Sequence, residues 1–251
     1  MSDNNYSYHT TAFKFLETQR ALGIHKAKVH GKIITVYPST ISPMLDWAGE
    51  LMVDCLPELK GKTFLEIGCG SGVVSYFAAL AGAKVTACDI NPEAIECTKI
   101  NLEPQKLAAD GDANTVAVGH EFLISDVYSA VPGRKFDVVA WNLPYHGVKP
   151  ADNLERCLAD EDYQGATVFL KEVDLHLAPK GTVLVGFSEL GDLPRIIAMI
   201  FDAGLTITNY RTEWRAGYNG IIIEAMRKID FDQSSSEAYE AFVEKQMKSG
   251  T

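Results

Sequence analysis

Hydrophobic and polar positions along this chain follow two alternating periods. From Gly61 onward the short apolar, β-branched runs Thr63–Ile67, Lys84–Cys88, Glu121–Ser125, Phe136–Trp141 and Thr182–Phe187 read as strands. Between them, apolar residues recur at helical spacing: an Ala-rich stretch after Gly72, then Pro92–Leu102, Tyr163–Leu177 and Leu193–Ala203. Two further runs, Thr206–Tyr210 and Ile221–Met226, have no helical pattern between them. Strands separated by helices need crossover connections, which give a mostly parallel sheet with helices on both faces. The final pair, joined by a turn, must be antiparallel. The pattern therefore predicts an α/β fold: a doubly wound, seven-stranded, mostly parallel sheet with one antiparallel strand at or near its edge.

Ahead of that sheet, residues 1–10 are polar and read as disordered. Thr11–Leu22 predicts a short amphipathic helix, and Lys26–Pro38 a hairpin turning at His30-Gly31. Ser42-Pro43 predicts the start of a helix carrying Met44, Leu45, Trp47, Leu51, Met52 and Cys55 on its apolar side. Glu103–Asn114 and Asn142–Asp162 read as irregular. Ser234–Ser236 predicts the N-cap region of a last helix, to about Met247. The expected organisation is an N-terminal extension over residues 1–60 packing on a catalytic domain at 61–228, with a tail helix in 229–251.

Composition narrows the function without naming it. The chain has 251 residues, 47% hydrophobic and 22% charged, which excludes disorder of the whole. Its formal charge is −10, so no global attraction draws it to phosphate backbones or anionic lipid. Nucleic acid is the less favoured partner on that ground, and a membrane is not expected. No apolar run is long enough to span a bilayer, and the polar start lacks a leader pattern. Five scattered cysteines suit neither a disulfide framework nor a zinc site, and His9, His25, His30, His120 and His176 lack metal spacing. These features predict a cytoplasmic protein with reduced thiols and no metal.

The first candidate chemistry lies after the strand at Thr63–Ile67. Glu66-Ile67-Gly68-Cys69-Gly70-Ser71-Gly72 puts glycines where a tight turn meets a helix N-terminus, with free N–H groups and partial positive charge. Twenty-one residues after Gly68, Asp89 ends the next strand. A carboxylate there can accept both hydroxyls of a ribose. A nicotinamide fingerprint needs a third glycine where Val73 stands. The plain alternative is that the glycines only close the turn. Cys69 reads as a small turn residue, because no matched base accompanies it.

The stretch resembles motif I of class I S-adenosylmethionine (SAM) methyltransferases, acid-x-Gly-x-Gly-x-Gly. The resemblance implies that Gly68, Gly70 and the backbone near Gly72 contact the methionine part of SAM. Glu66 would hold its amino group directly or through water. Asp89 would take the ribose hydroxyls, with Ile90 packed on the adenine. Ser125-Asp126-Val127 resembles the segment that reads the adenine edge, Asp126 accepting from the amine and the Val127 N–H donating. A helix N-cap is the other reading of Asp126.

Asn142-Leu143-Pro144-Tyr145, closing the strand at Phe136–Trp141, resembles the Asn-Pro-Pro-Tyr motif of SAM-dependent amino- and amide-N-methyltransferases. A planar conjugated nitrogen is a poor nucleophile. It improves when its N–H groups meet strong acceptors and its lone pair is aimed at the methyl carbon. The Asn142 carboxamide oxygen and Leu143 carbonyl can be those acceptors. Pro144 stiffens the backbone, and Tyr145 offers a flat face. The donor is already an activated sulfonium, so the reaction needs no metal. Alternatively, Asn142 merely ends a strand and Pro144 makes a turn.

Over about residues 26–228 the chain resembles the catalytic domain of release-factor glutamine methyltransferases. Ser125–Ala130, Lys135–Asp137, Asn142–Tyr145, Glu189–Gly191 and Ala203–Leu205 carry the likeness. So does Val36-Tyr37-Pro38-Ser39-Thr40, a segment whose Pro and Thr close over SAM in that family. The resemblance implies Asn142, Pro144 and Tyr145 as catalytic residues, and Thr40 and Asn142 among those near SAM, which leaves as S-adenosylhomocysteine. The expected acceptor is a protein or peptide glutamine amide, or a small molecule with a similar group. Leu143 departs from the family's Pro; the same form, Asn-Leu-Pro-Tyr, occurs in ribosomal-RNA adenine dimethyltransferases. An adenine amine in RNA is thus the second acceptor. A SAM-binding or assembly module without turnover is the alternative outside enzymes. His146 reads as a solvent-exposed loop residue or a lining of the acceptor pocket. Charged Gly147–Asp162 reads as a lid or a solvated surface. Trp141 reads as core, and Trp214 as a residue within reach of the acceptor.

Overall fold

The computed structural model describes residues 14–111 and 119–231. Expectations for residues 1–10 and for the tail helix lie outside them. Residues 14–22 form helix α1. Strands β1 (His25–Val29) and β2 (Lys32–Val36) make the expected hairpin, with His30 at φ 44° and Gly31 at φ 84°. A two-residue turn whose residues are both left-handed matches the strand twist.

Helices and strands then follow one another, with α4–α5 and β5–β6 the consecutive pairs of one kind: α2 (Ala48–Asp54), β3 (Thr63–Ile67), α3 (Val73–Leu80), β4 (Lys84–Asp89), α4 (Pro92–Asn101), α5 (Pro104–Asp110), β5 (Glu121–Ile124) and β6 (Phe136–Asn142). After these come α6 (Asn153–Arg156), α7 (Gln164–His176), β7 (Leu177–Ser188), α8 (Leu193–Asp202), β8 (Leu205–Arg215) and β9 (Tyr218–Arg227). Seven strands form one sheet in the order β5-β4-β3-β6-β7-β9-β8. β9 is antiparallel to both its neighbours, and the remaining pairings are parallel. The fold is the doubly wound α/β sheet the pattern predicts.

Alternation along the central strands builds two cores. Leu65, Val139, Val183, Val185 and Ile223 face α7 and α8, while Phe64, Val138, Ala140, Leu184 and Ile222 face the layer of α2 and α3. Strands buried on both faces read as continuous apolar runs, which is why they were visible in the sequence.

Three expectations are corrected. The helix placed at Ser42-Pro43 begins only at Ala48. The Ser42 carbonyl closes one turn with the N–H groups of Leu45 and Asp46. Asp46 Oδ1 then accepts the Ala48 N–H at 2.8 Å and starts a new helix. Second, part of the polar stretch Glu103–Asn114 is the helix α5, for which Pro104 is preset at the first position and Leu107 is buried. Third, the last two strands run further than their apolar centres, because the tight Ala216-Gly217 turn lets pairing continue to Arg215 opposite Tyr218.

Candidate active site

The strand order reverses direction between β3 and β6. In open α/β sheets that switch point, at the carboxyl ends of the strands, leaves a crevice. Here it is a cavity of about 500 Å³. It brings together Glu66, Gly68, Gly70, Asp89, Ile90, Asp126, Val127, Asn142, Pro144 and Tyr145. Ten of the sequence-derived residues thus share one space, delivered by the ends of β3, β4, β5 and β6.

The glycine turn is shaped by close approach. A Cβ on Gly68, which sits at φ +61°, would lie 2.5 Å from Trp141 Nε1. Trp141 is therefore not a plain core residue: it lines the cavity and packs on the turn, with its ring set edge-on to Phe169 at 5.3 Å. Gly72, left-handed at φ 77°, precedes α3 and is backed by Thr98; it is not part of the lining. Thr40 also stands off the cavity. It is fully buried, and its hydroxyl donates to the Tyr37 carbonyl at 3.0 Å, so Ile41 and Pro43 form that wall instead.

Two carboxylates carry distinct duties. Asp89 Oδ2 accepts the Gly70 N–H at 2.9 Å and Oδ1 the Asn91 N–H at 2.8 Å. Each oxygen keeps one lone pair, so the carboxylate can also take two vicinal hydroxyls. Burial raises its pKa, and those N–H groups pull it back. Glu66 Oε2 accepts both the N–H and the hydroxyl of Ser75 in the first turn of α3. That leaves Oε1 to face a ligand. Burial pushes the Glu66 carboxyl up to about 8.

Along β5's exit Val127 is held at φ 45°, a costly conformation for a β-branched residue. Ser125 Oγ fixes it by donating to the Val127 carbonyl at 2.8 Å and accepting the Ala130 N–H at 3.0 Å. No helix begins at Asp126, so the N-cap reading is set aside; its side chain is exposed.

At the other end Asn142 closes β6. Its Oδ1 is sealed from solvent and meets no donor. Asn142 lines the cavity, and its oxygen lies beside Gly186 of β7 and next to the Tyr145 phenol, whose pKa burial raises and the carboxamide lowers by less. Tyr145 is 4% exposed, its hydroxyl also buried without a hydrogen bond. Its ring stands edge-on to Phe187 at 6.0 Å, and its carbonyl accepts from the Tyr163 hydroxyl at 2.9 Å.

Several residues were not foreseen. Asp46 lines the cavity from the segment before α2. Asn101 ties three parts together: it exchanges hydrogen bonds with Thr35 at 2.8 and 2.7 Å and donates to the Ser71 carbonyl at 2.8 Å. No local pattern marks such long-range ties. The charged stretch 147–162 is a wall rather than only a solvated surface, contributing Lys149, Asn153, Arg156 and Asp160. α1 braces it, with Leu16 packed on Leu154 and Leu158 and Arg20 paired to Asp152. His146 is half-buried outside the lining; its backbone pairs with Leu158 and Asp160, and burial lowers its pKa to about 4. Trp214 is 69% exposed on the β8–β9 hairpin and does not reach the cavity.

The chain matches the model of the family described as methyltransferase small domain over residues 41–209. It is 33% identical to the release factor glutamine methyltransferase of Koribacter versatilis over 138 residues, 52% of this chain and 45% of that one. It is 30% identical to the ribosomal RNA small subunit methyltransferase C of Salmonella arizonae over 177 residues, 69% of this chain and 45% of that one. The chain thus spans about half the length of the curated relatives it matches. Among solved structures, the Thermus thermophilus 16S rRNA N2 G1207 methyltransferase with AdoMet and guanosine superposes with a TM-score of 0.55, at 19% identity, over 80% of this chain and 50% of that one. A ribosomal protein L11 methylase from Lactobacillus delbrueckii gives 0.54 at 21%, over 77% and 84%. Both share the fold. No helix of the described residues is long and apolar enough to cross a membrane.

Proposed function

We propose that this chain, which belongs to the methyltransferase small domain family and is a class I SAM-dependent methyltransferase by family and fold, transfers the methyl group to a planar, conjugated nitrogen held beside Asn142 and Tyr145. The observation that carries this reading is the single cavity shared by the Gly68–Asp89 half and the Asn142–Tyr145 half. The residues present fit SAM. Asp89 retains lone pairs for two hydroxyls, and Asp126 and Asp160 line the cavity as further carboxylates suited to a cationic ligand. When bound, SAM supplies a methyl group already activated on a sulfonium and leaves as S-adenosylhomocysteine.

The chain's own part is placement. Gly68 and Gly70 let the ligand reach backbone N–H groups. The Asn142 carboxamide, turned half-way about its last bond, presents its oxygen to an N–H of the acceptor and satisfies an atom that is otherwise buried and unpaired. Pro144 holds that corner, and Tyr145 lines the acceptor's plane. The methylated nitrogen then sheds its proton to water. A glutamine amide on a protein is favoured by the resemblance in residues 125–145. An exocyclic amine of an RNA base is the second reading, favoured by the longer match to a ribosomal RNA methyltransferase.

The test is tritiated-methyl transfer from SAM into a cell extract sorted into protein, RNA and metabolite pools. Asn142→Ala should keep SAM binding and cut transfer about a hundredfold or more. Unchanged transfer by that variant into every pool overturns the reading.

A further inference from the structure

The Asn142–Tyr145 corner is held at both ends. At the near end the Leu143 N–H donates to the Gly186 carbonyl of β7 at 2.9 Å, and Pro144 has no N–H to give. At the far end the Tyr145 carbonyl accepts from the Tyr163 hydroxyl at 2.9 Å. That hydroxyl also accepts the Asp192 N–H at 2.9 Å, so it joins the corner to the start of α8. The other edge of the same peptide, the His146 N–H, meets the Leu158 carbonyl at 2.9 Å. Space is tight here. A Cβ on Gly191 would stand 2.1 Å from the Tyr145 carbonyl oxygen, and one on Gly147 would stand 2.8 Å from Tyr163 Cε2. Tyr163 is 6% exposed and lies outside the cavity lining.

The backbone that delivers this ring is unusual. Asp162 (φ 51°) and Tyr163 (φ 57°) are two successive left-handed residues, and neither is glycine. The conformation is costly for a bulky side chain and persists only where its surroundings enforce it. Arg195 of α8 enforces it: the guanidinium donates to Asp162 Oδ1 at 2.7 Å and to the Asp162 carbonyl at 3.0 Å, and lies 5.2 Å from the centre of the Tyr163 ring. Asp160 secures the next turn by accepting the N–H groups of Gly165 and Ala166 at 3.0 and 2.9 Å. The kink ends the cavity wall at 147–162 and turns Tyr163 toward the Tyr145 peptide.

We propose that Tyr163 is a positioning residue for methyl transfer, whose hydroxyl fixes the Tyr145 peptide from outside the cavity and so holds the Asn142–Tyr145 corner in place against the acceptor. This rests on the methyl-transfer reading above. Transfer needs the acceptor nitrogen aligned with the methyl group, and a misplacement of about 1 Å costs about a hundredfold. Without the hydroxyl, the buried Tyr145 carbonyl loses its partner and one edge of the peptide is released. The residues proposed to hold SAM, Gly68, Gly70 and Asp89, stand on β3 and β4 and their turns, away from this tie. Loss of the hydroxyl therefore reaches turnover and spares cofactor affinity.

The test is Tyr163→Phe, which keeps the ring and removes one oxygen. Tritiated-methyl transfer into cell extract is measured over a range of SAM concentrations, well below the melting temperature. The apparent kcat should fall about tenfold or more, with KM for SAM and S-adenosylhomocysteine affinity by calorimetry unchanged. Tyr76→Phe is the control: it removes another tyrosine hydroxyl bond, to Asp110, outside the cavity lining, and should keep the native rate. Arg195→Met should lower kcat in the same way, and adding Tyr163→Phe to it should cost less than Tyr163→Phe alone, because both act through one kink. Native kcat in Tyr163→Phe, a matching loss of S-adenosylhomocysteine affinity, or an equal fall in Tyr76→Phe overturns the proposal. If Tyr163→Phe does not fold, Arg195→Met decides: native kcat overturns the proposal, and a lower kcat at unchanged affinity supports it. Transfer by the native chain that Tyr163→Phe leaves intact removes only the role of Tyr163. No transfer by the native chain into any pool removes the methyl-transfer reading, and this proposal with it.

Discussion

Gly186 and Asn142 are register partners on β7 and β6, and a Cβ on Gly186 would stand 2.4 Å from Asn142 Oδ1. The same added carbon would come within 2.9 Å of Met52 Cε. The missing side chain on β7 is what leaves room for the Asn142 carboxamide. Gly186→Ala should therefore lower stability by about 1–3 kcal/mol through overpacking and displace Asn142. Methyl transfer should fall by more than the affinity for S-adenosylhomocysteine does. Denaturant melts with calorimetry and rates check this, and an alanine variant with native turnover would contradict it.

Asp89→Ala should weaken S-adenosylhomocysteine by about 1–3 kcal/mol, because ribose hydroxyls lose their acceptor. The Gly70 and Asn91 N–H groups lose theirs as well. The ligand-free chain should then melt earlier too. Native affinity by calorimetry would remove Asp89 from the binding role.

Glu66 titrates against the fold. Its pKa is near 4.5 when free and about 8 in the native cavity. The folded state binds the proton more tightly, so the stability tied to protonated Glu66 is full below about 4.5 and is lost as pH rises through about 8. Glu66→Gln keeps an acceptor for Ser75 without the charge. Relative to the native chain it should gain stability progressively from pH 5 to pH 8, measured by melts across that range. A constant difference between the two proteins would refute it.

His146 behaves in the opposite sense. Burial lowers its pKa from 6.5 to about 4, so its neutral form belongs to the folded state. The stability it contributes is present above about 6.5 and lost as pH falls through about 4. His146→Gln should lessen the acid destabilisation between those limits. Melting curves at pH 7 and pH 4.5 that shift in parallel for both proteins would contradict this.

Much of this molecule could be read from its amino acids alone. Strands such as Thr63–Ile67 and Phe136–Asn142 are apolar on both faces, so they announce themselves without help from the rest of the chain. The turn at Gly68–Gly72, the acid at Asp89 and the Asn142–Tyr145 corner are local motifs, legible because each needs particular residues at fixed short spacing. Tertiary structure alone placed Asp46 and Tyr218 in one hydrogen bond across 172 positions, seated Trp141 on Gly68, and set Gly186 beside Asn142. It also moved Thr40 behind the cavity wall. These relations join segments far apart in sequence and depend on sheet register and packing, and no period or local propensity encodes such distances.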